Sequence, residues 1–213
     1  MISGMYFTNH HPATGGTPGM NGTEINRDEI QRRREWLVDR FGDAPVYERH
    51  DRPAPEEFRE WIEMADDGYI GSAYALVRRP PDRLAPLSAT MDVEGEEHER
   101  VLLILGRGGT RWGVPGGGQE GDETMAETVR REVTEEVGIT ISLTGVGHMR
   151  HEIATCEGFD ERLHALRVFF HAEYESGSIA VQPGEVNGAA WFAEPPPAER
   201  LLGATERLLD DWT

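Results

Sequence analysis

One segment of this chain constrains its fold more than any other: a run of glycines that leads into an acid-rich amphipathic helix. Residues 116–118 are all glycine, and glycine lets the backbone bend and approach a ligand closely, with its carbonyl oxygens free to coordinate. Apolar residues then recur at helical spacing, which predicts a helix over residues 124–137 with one side packed inward. That inward side carries Ala126, Val129, Val133 and Val137. Gly138 follows, where a glycine can end a helix in the left-handed conformation.

Three carboxylates share a different side of the same helix. Glu132, Glu135 and Glu136 are spaced i, i+3 and i+4, so they occupy an arc of about 100°. We expect these three side chains to line a wall of the domain and not to be buried in its core. Like charges at i and i+4 are mildly destabilising, and a hard divalent metal, which prefers oxygen ligands, is the simplest cation to stabilise them. The alternative is an ordinary solvated helix face.

The spacing around these acids matches a known pattern. Five residues separate Gly117 from Glu123, seven more lead to Arg131, and the run Arg-Glu-Val-Thr-Glu-Glu-Val-Gly-Ile begins there. The segment resembles the Nudix box, a glycine, five residues, a glutamate, seven residues and then Arg-Glu-apolar-x-Glu-Glu-x-Gly-apolar. Every fixed position is filled, although Gln119 and the pair at 121–122 stand where the family often has an apolar residue and Pro-Gly. The resemblance implies an α/β fold, an α/β/α sandwich with a mixed sheet.

The same resemblance implies a division of roles among the acids. Glu135 and Glu136 are expected to be the main metal-binding carboxylates, and Glu132 a further ligand or the base that readies water. The carbonyl oxygen of Gly116 is expected to join the coordination shell, and Glu120 matches an acidic position that can bind an additional metal. Mg²⁺ is the expected ion, because it prefers octahedral oxygen coordination and arrives with substrate phosphates. Mn²⁺ is a plausible substitute by the same ligand logic.

Other residues are expected to support or complete this site. By the resemblance, Glu123 and Arg131 brace the glycine loop against the helix. Families of this kind commonly add a carboxylate from a downstream loop, a few residues before a tryptophan. Glu185 stands six residues ahead of Trp191 and is the best candidate. Its competitors in the preceding loop are Glu152, Glu157, Asp160 and Glu161.

The expected reaction is hydrolysis of a diphosphate linkage in a nucleoside diphosphate derivative or a nucleoside triphosphate, by attack of water on phosphorus. Divalent ions reduce the repulsion of the nucleophile and lower the pKa of bound water. Trp112 is a candidate to stack on a base or else packs at a strand end, and Arg107 and Arg150 either bind phosphates or face solvent. Two alternatives stay open: a nucleotide-sensing module without catalysis, and an isoprenoid diphosphate isomerase. The isomerase chemistry uses a cysteine, and Cys156 has no matching context.

The charge balance restricts the partners of the chain. It has 21 basic and 39 acidic residues, a net charge of −18, and no lysine. This surface argues against binding to duplex nucleic acid or acidic membranes, so a small-molecule nucleotide is the expected partner. Acid excess without lysine is typical of extreme halophiles, although a GC-rich genome also replaces lysine with arginine. A single cysteine, no evident signal peptide and no apolar run of membrane-spanning length favour a cytoplasmic protein.

The length of 213 residues suits one domain with an appendage. We expect a disordered tail over 1–26, which lacks periodicity, a helical extension over 27–66 and the catalytic domain over 67–213. Within the extension, helical patterns over 27–41 and 55–65 predict helices that pack on the catalytic domain or form a homodimer contact. In the catalytic domain, the patterns predict strands over 69–77, 101–105, 139–152 and 163–175, and a closing helix over 198–209.

Overall fold

The computed structural model describes residues 22–81, 99–209 and 212. Most of the predicted disordered tail, residues 1–21, lies outside the described residues. In chain order the elements are β1 (Glu24–Ile25), α1 (Arg27–Phe41), β2 (Val46–Asp51), α2 (Pro55–Asp66), β3 (Gly71–Arg79), β4 (Arg100–Gly106), β5 (Gly116–Gly118), α3 (Met125–Val137), β6 (Ile139–Thr155), β7 (Arg162–Gly177), β8 (Val186–Phe192) and α4 (Gly203–Leu209). A short 3₁₀ helix, Ala198–Arg200, precedes α4.

The described strands form one mixed sheet. Along its main path the order is β2-β6-β7-β3-β4-β8, with β1 beside β7 and β5 beside β3. β6 pairs with β7, β3 with β4 and β5, and β4 with β8 in antiparallel fashion. β3 and β1 lie parallel to β7, and β2 lies parallel to β6. Strands of both orientations in one sheet agree with the predicted α/β architecture.

The alternation of side chains along β7 assigns each helix to a face of the sheet. Even-numbered residues such as Leu166 and Phe170 lie in the buried cluster that also contains residues of α1 and α3. The odd-numbered Phe169 lies in a cluster with residues of α4, and Leu163 in one with residues of α2. Helices α1 and α3 therefore cover one face and α2 and α4 the other, which is the predicted α/β/α sandwich.

The N-terminal extension contains the two predicted helices. α1 begins at Arg27 and ends at Phe41, and α2 begins at Pro55, whose fixed φ suits the first turn of a helix. Both helices pack on the sheet. The sequence reading missed the strands β1 and β2. β1 is only two residues long, and β2 pairs only with β6 and is largely exposed, so neither carries an apolar alternation. The division of the chain at residue 67 stays a prediction from the sequence.

The predicted strands of the catalytic region are confirmed as β3, β4, β6 and β7, with shifts of a few residues at their ends. The predicted closing helix over 198–209 is confirmed for Gly203–Leu209 and is interrupted near its beginning. Leu201 is extended and bridges to Trp112, and the N–H of Leu202 donates to the carbonyl of Trp112, which separates the 3₁₀ helix from α4. Within the described residues, each helix is too short or too polar to cross a membrane.

Candidate active site

The acid-rich helix α3 is fixed at both ends by local contacts. The hydroxyl of Thr124 accepts the N–H of Glu127, and the Glu127 carboxylate accepts the N–H of Thr124. Such a reciprocal cap contributes about 1 kcal/mol. Gly138 ends the helix with φ 78, in the left-handed conformation that the sequence predicted. The four predicted inward residues, Ala126, Val129, Val133 and Val137, are all buried.

The glycines at 116–118 form the short strand β5, beside β3 and against α3. Gly116 has a φ of 140, and a Cβ at this residue would lie 2.2 Å from the carbonyl oxygen of Ala73. A Cβ at Gly117 would lie 2.6 Å from the carboxyl carbon of Glu132. The backbone of β3 therefore excludes a side chain at Gly116, whereas a side chain at Gly117 would displace the Glu132 carboxylate. Glycine at 117 thus allows that acid of α3 to approach the backbone of β5.

Arg131 joins this strand to the helix through one guanidinium group. Its Nε and Nη2 donate to the carboxylate of Glu123 at 2.8 and 3.1 Å, and Nη2 also donates to the carbonyl of Gly118 at 2.9 Å. Its Nη1 donates to Glu132 and to Glu135, both at 3.0 Å. The hydrogen bond to Glu123 raises the pKa of Arg131, and the same bond lowers the pKa of Glu123. Arg131 is thus a cation supplied by the chain itself, at a place where the sequence suggested only a metal.

Glu123 is the centre of the loop that precedes the helix. Besides Arg131, its carboxylate accepts the hydroxyl of Thr128 at 3.0 Å and the N–H of Glu120 at 3.1 Å. The side chain of Glu120 itself is 65% exposed and lies 4.0 Å from Arg131. The contacts of Glu123 and Arg131 have the geometry that a brace between loop and helix requires, whereas Glu120 lies at the solvent edge.

Glu136 is the most deeply buried acid of the helix. It is 8% exposed, and its Oε2 accepts the N–H of Gly116 at 2.9 Å. Burial raises the pKa of Glu136 to about 8, the charges of Glu132 and Glu185 add to this rise, and the Gly116 N–H opposes it. Burial also raises the pKa of Glu132, against the lowering effect of Arg131. The expectation that the three acids line a wall of the domain and are not buried is wrong for Glu136, because β5 lies over its side of α3, whereas Glu132 is half-buried and Glu135 exposed.

Glu185 lies directly before β8, and its charge raises the pKa of both Glu132 and Glu136. Arg107, directly after β4, contacts this loop. Its N–H donates to the carbonyl of Glu185 at 2.8 Å, and its Nη1 donates to the carbonyl of Gly184 at 3.1 Å. The structure therefore brings the two predicted residues, Glu185 and Arg107, together at one loop.

The oxygen donors around Glu136 fit a hard divalent cation by their chemistry. Glu132 and Glu136 are like-charged groups whose ionised forms are disfavoured by burial, and a bound cation would favour those forms. Among the described residues, no three His, Cys, Asp or Glu side chains converge as a metal-binding group. Two of the acids are held by Arg131 and the third by the N–H of Gly116. Metal binding stays a proposal for Gly116, Glu120, Glu132, Glu135, Glu136 and Glu185.

The other two candidates for substrate contact have protein partners. Trp112 packs edge-on against Phe192 with 4.9 Å between ring centroids, which matches the packing alternative for this residue. Arg150 lies on β6, and its guanidinium pairs with Glu152 at 2.8 Å. The Glu152 carboxylate also accepts a hydrogen bond from Arg167. This pairing holds Arg150 against the sheet and occupies Glu152, one of the competitors of Glu185.

Sequence reasoning missed two residues that contact the loop from outside the box. Arg33 of α1 donates its Nη1 to the carbonyl of Glu123 at 2.9 Å. Tyr69, just before β3, lies against Gly118, where a Cβ would be 3.3 Å from the tyrosine ring. Arg33 belongs to the basic run at 32–34, but a helical pattern does not distinguish it from its neighbours. Neither residue has a fixed spacing to the box, so no sequence signal marks them.

Comparison with known proteins places this geometry in context. A NUDIX domain matches residues 86–201. The NAD-capped RNA hydrolase NudC of Deinococcus radiodurans is 37% identical over 94 residues, which are 43% of this chain and 31% of the relative. The NAD-capped RNA hydrolase NudC of Pseudomonas aeruginosa strain LESB58 is 35% identical over 131 residues, which are 56% of this chain and 41% of the relative. The chain spans less than half the length of these curated relatives.

A solved structure of a Nudix hydrolase is also similar to this chain. The MutT NUDIX hydrolase from Burkholderia pseudomallei is 25% identical with a TM-score of 0.40, over 68% of this chain and 98% of that chain. The glycine strand and the acid helix both lie inside the matched domain. Because that domain takes up more than half of the 213 residues, the chain belongs to the Nudix family.

Proposed function

We propose that this chain is a metal-dependent hydrolase that cleaves a diphosphate linkage in a nucleoside diphosphate derivative, by attack of water on phosphorus. The observation that carries the proposal is the pair of acids formed by the buried Glu136 and the half-buried Glu132, against the glycine strand of an intact box. Burying like-charged carboxylates costs stability unless a cation accompanies them. A divalent ion that binds together with a diphosphate substrate would offset that cost.

The acids of the box are the proposed metal ligands. Mg²⁺ is the proposed ion because all the donors are oxygens, and Mn²⁺ is a substitute. The proposed ligands are Glu132, Glu135 and Glu136, joined by the carbonyl of Gly116, by Glu185 and, for an additional ion, by Glu120. When bound, the metal reduces the repulsion between the diphosphate and the nucleophile and lowers the pKa of bound water.

The residues of the chain itself position the reacting groups. Glu132 is the proposed base for the attacking water, or else a further ligand, and Arg131 fixes its carboxylate. Arg131 also binds Glu123 and the carbonyl of Gly118, so it keeps helix and loop at one separation. Fixed geometry of this kind matters because displacements of about 1 Å can reduce a rate by about 10²-fold.

The relatives favour a dinucleotide as the substrate. Their name states that they hydrolyse NAD-capped RNA, and NAD joins two nucleosides through a diphosphate. A net charge of −18 disfavours a long RNA partner, so we favour small NAD-type dinucleotides and other nucleoside diphosphate derivatives, with nucleoside triphosphates next. Arg107, beside Glu185, is the best placed candidate to contact a phosphate. Trp112 and Arg150 are weaker candidates because packing and ion pairing already hold them.

A substrate panel tests the proposal. The purified chain is incubated with NAD-type dinucleotides, nucleoside diphosphate sugars and nucleoside triphosphates, with Mg²⁺ or Mn²⁺, in dilute buffer and in molar salt, and the products are identified by mass. In ¹⁸O-labelled water, cleavage should give a labelled phosphate in one product. The double variant Glu135→Gln/Glu136→Gln should lose most turnover and keep its fold. A double variant that turns over at the wild-type rate would contradict the site.

The same panel separates the rival functions. A sensing module would bind a nucleotide in calorimetry and release no product. An isoprenoid diphosphate isomerase would rearrange its substrate without cleaving the diphosphate, and Cys156→Ser would abolish that activity. We expect Cys156→Ser to leave hydrolysis unchanged. A cytoplasmic location is proposed because Cys156 is the single cysteine and has no partner for an internal disulfide.

A further inference from the structure

Helix α1 lies before the matched domain, which begins at residue 86, yet it contacts the catalytic loop. The contact is made by Arg33, whose Nη1 donates to the carbonyl of Glu123 at 2.9 Å. The Arg33 side chain is 18% exposed, and its Nε donates to Glu29, one turn earlier in α1, at 2.7 Å. Because the same guanidinium donates to Glu29 and to the carbonyl of Glu123, its position is set by the helix and not by the loop alone.

The carbonyl that Arg33 binds belongs to the residue at the centre of the loop. The side chain of Glu123 binds Arg131, and Arg131 in turn holds Glu132 and Glu135. A continuous path of hydrogen bonds therefore runs from α1 through the backbone and side chain of Glu123 to the acids of α3. Loss of the first contact would free one face of the loop while the brace within the box stayed intact.

A second contact connects the start of α1 with the glycine strand. The side-chain amide of Asn26, directly before α1, donates to the carbonyl of Tyr69 at 3.1 Å. The ring of Tyr69 packs at Gly118, whose carbonyl is a partner of Arg131. The loop is thus contacted directly by Arg33 of α1 at Glu123, and Asn26 at the start of α1 binds Tyr69, whose ring lies at Gly118.

We propose that α1 acts as a positioning element for the catalytic loop, with Arg33 as the positioning residue that sets the place of Glu123 and, through Arg131, of Glu132 and Glu135. The proposal rests on the proposed hydrolase function for its kinetic consequence. Its structural consequence, a loop ordered by α1, is independent of which substrate the chain uses.

The test compares Arg33→Ala with Arg32→Ala. Both arginines pair with Glu29, but Arg32 is 73% exposed at its side chain and does not reach the loop. Steady-state kinetics would measure kcat and KM separately on a substrate identified in the panel, hydrogen exchange would follow the amides of residues 116–124, and thermal melts would report folding. Arg33→Lys, which keeps the positive charge but lacks the planar fork of donor nitrogens, serves as the conservative variant.

We expect Arg33→Ala to lower kcat by about tenfold, since the acids lose their alignment, with KM changed less than twofold and with faster exchange at 116–124. Arg32→Ala should match the wild type in all three, and Arg33→Lys should lie between. Equal kcat and equal loop exchange in Arg33→Ala and Arg32→Ala would overturn the proposal. A wild-type chain without turnover on any substrate would instead contradict the proposed function, and loop exchange would still decide the role of Arg33.

Discussion

Burial shifts the pKa values of two groups of side chains in this protein in opposite directions, upward for acids and downward for histidines. The box cluster consists of Glu123, Arg131, Glu132, Glu135 and Glu136, in which one guanidinium contacts several carboxylates. The histidine chain consists of Glu24, His164 and His151. In it, His164 lies 2.5 Å from the Glu24 carboxylate through Nε2 and 2.7 Å from His151 through Nδ1.

The histidine chain loses charge on burial. His151 and His164 are 9% and 4% exposed, and burial lowers the pKa of His151 to about 4 and also lowers that of His164, although Glu24 opposes the latter shift. Both imidazoles are therefore neutral near pH 7. In the box cluster, burial raises the pKa of Glu132 and Glu136, so the neutral forms of these acids are favoured as well. A bound cation would favour their ionised forms, so we expect the box cluster to respond to a cation and the histidine chain to be structural.

The largest expected effect removes one acid from the box cluster. Glu136→Gln keeps an oxygen for the Gly116 N–H but loses the negative charge, so we expect kcat to fall by about 10²- to 10³-fold without a lower melting temperature. The matched control is Glu127→Gln on the same helix, because glutamine preserves the cap at Thr124. Steady-state kinetics and thermal melts of both variants check the prediction. A wild-type kcat in Glu136→Gln would contradict a role of the box cluster in turnover.

A smaller effect is expected at the downstream carboxylate. Glu185→Gln should lower kcat by about tenfold, because Glu185 is near enough to act on the pKa of Glu132 and Glu136. Glu157→Gln changes an exposed competitor in the connection between β6 and β7 and should leave kcat unchanged. If the Glu157 variant loses activity and the Glu185 variant does not, the downstream carboxylate of the site comes from the connection between β6 and β7 and not from the loop before β8.

The histidine chain should affect stability and not turnover. The folded-state pKa of His151, about 4, lies below its ordinary value of 6.5, so the unfolded chain binds more protons between these values. Stability is then fully present above pH 6.5 and is lost as the pH falls toward 4, by up to about 1.4 kcal/mol per pH unit for this group. Urea unfolding at pH 7.5, 6.5 and 5.5 measures the slope.

Two variants test the assignment of that slope. His151→Gln retains a donor for His164 and does not titrate, so its loss of stability between pH 6.5 and 5.5 should be smaller than in the wild type. His50→Gln changes a histidine whose side chain is 69% exposed and should leave the slope unchanged. A slope in His151→Gln equal to that of the wild type would show that burial has not lowered the pKa of His151 in the folded protein.

The smallest expected effect concerns salt. With a net charge of −18, self-repulsion is screened in molar KCl, and we expect the melting temperature to rise by several degrees relative to dilute buffer. The buried histidine chain is shielded from ions, so its pH slope should persist in high salt. A melting temperature that is independent of salt would count against adaptation to a saline environment.

The contacts of the box cluster join residues that are close in the sequence. Glu123 and Arg131 are eight residues apart, and Gly116 and Glu136 twenty, so one turn and one helix bring them together. By contrast, Glu24 and His164 are separated by 140 residues, and Arg33 and Glu123 by 90. No periodicity within a segment reports on a partner that far away.

Burial was the property that the helical pattern could not supply. The spacing of Glu132, Glu135 and Glu136 placed them on one side of α3, but only the packing of β5 decided that Glu132 and Glu136 are covered and Glu135 is exposed. The same limit explains β1 and β2. Their pairing with β7 and β6 depends on backbone hydrogen bonds. A strand that is short or exposed can form such bonds without an alternation of apolar residues in its sequence.

The sequence by itself determined the family and the acid helix with its glycine segment, because those features are encoded in one contiguous stretch, and it predicted the kind of bond that such a site would break. The tertiary structure decided which acids are buried, that Arg107 contacts the loop of Glu185, and that Arg33 of α1 donates to the carbonyl of Glu123. The physical reason is that spacing along a helix sets direction, whereas burial and charge pairing depend on what the rest of the chain places opposite.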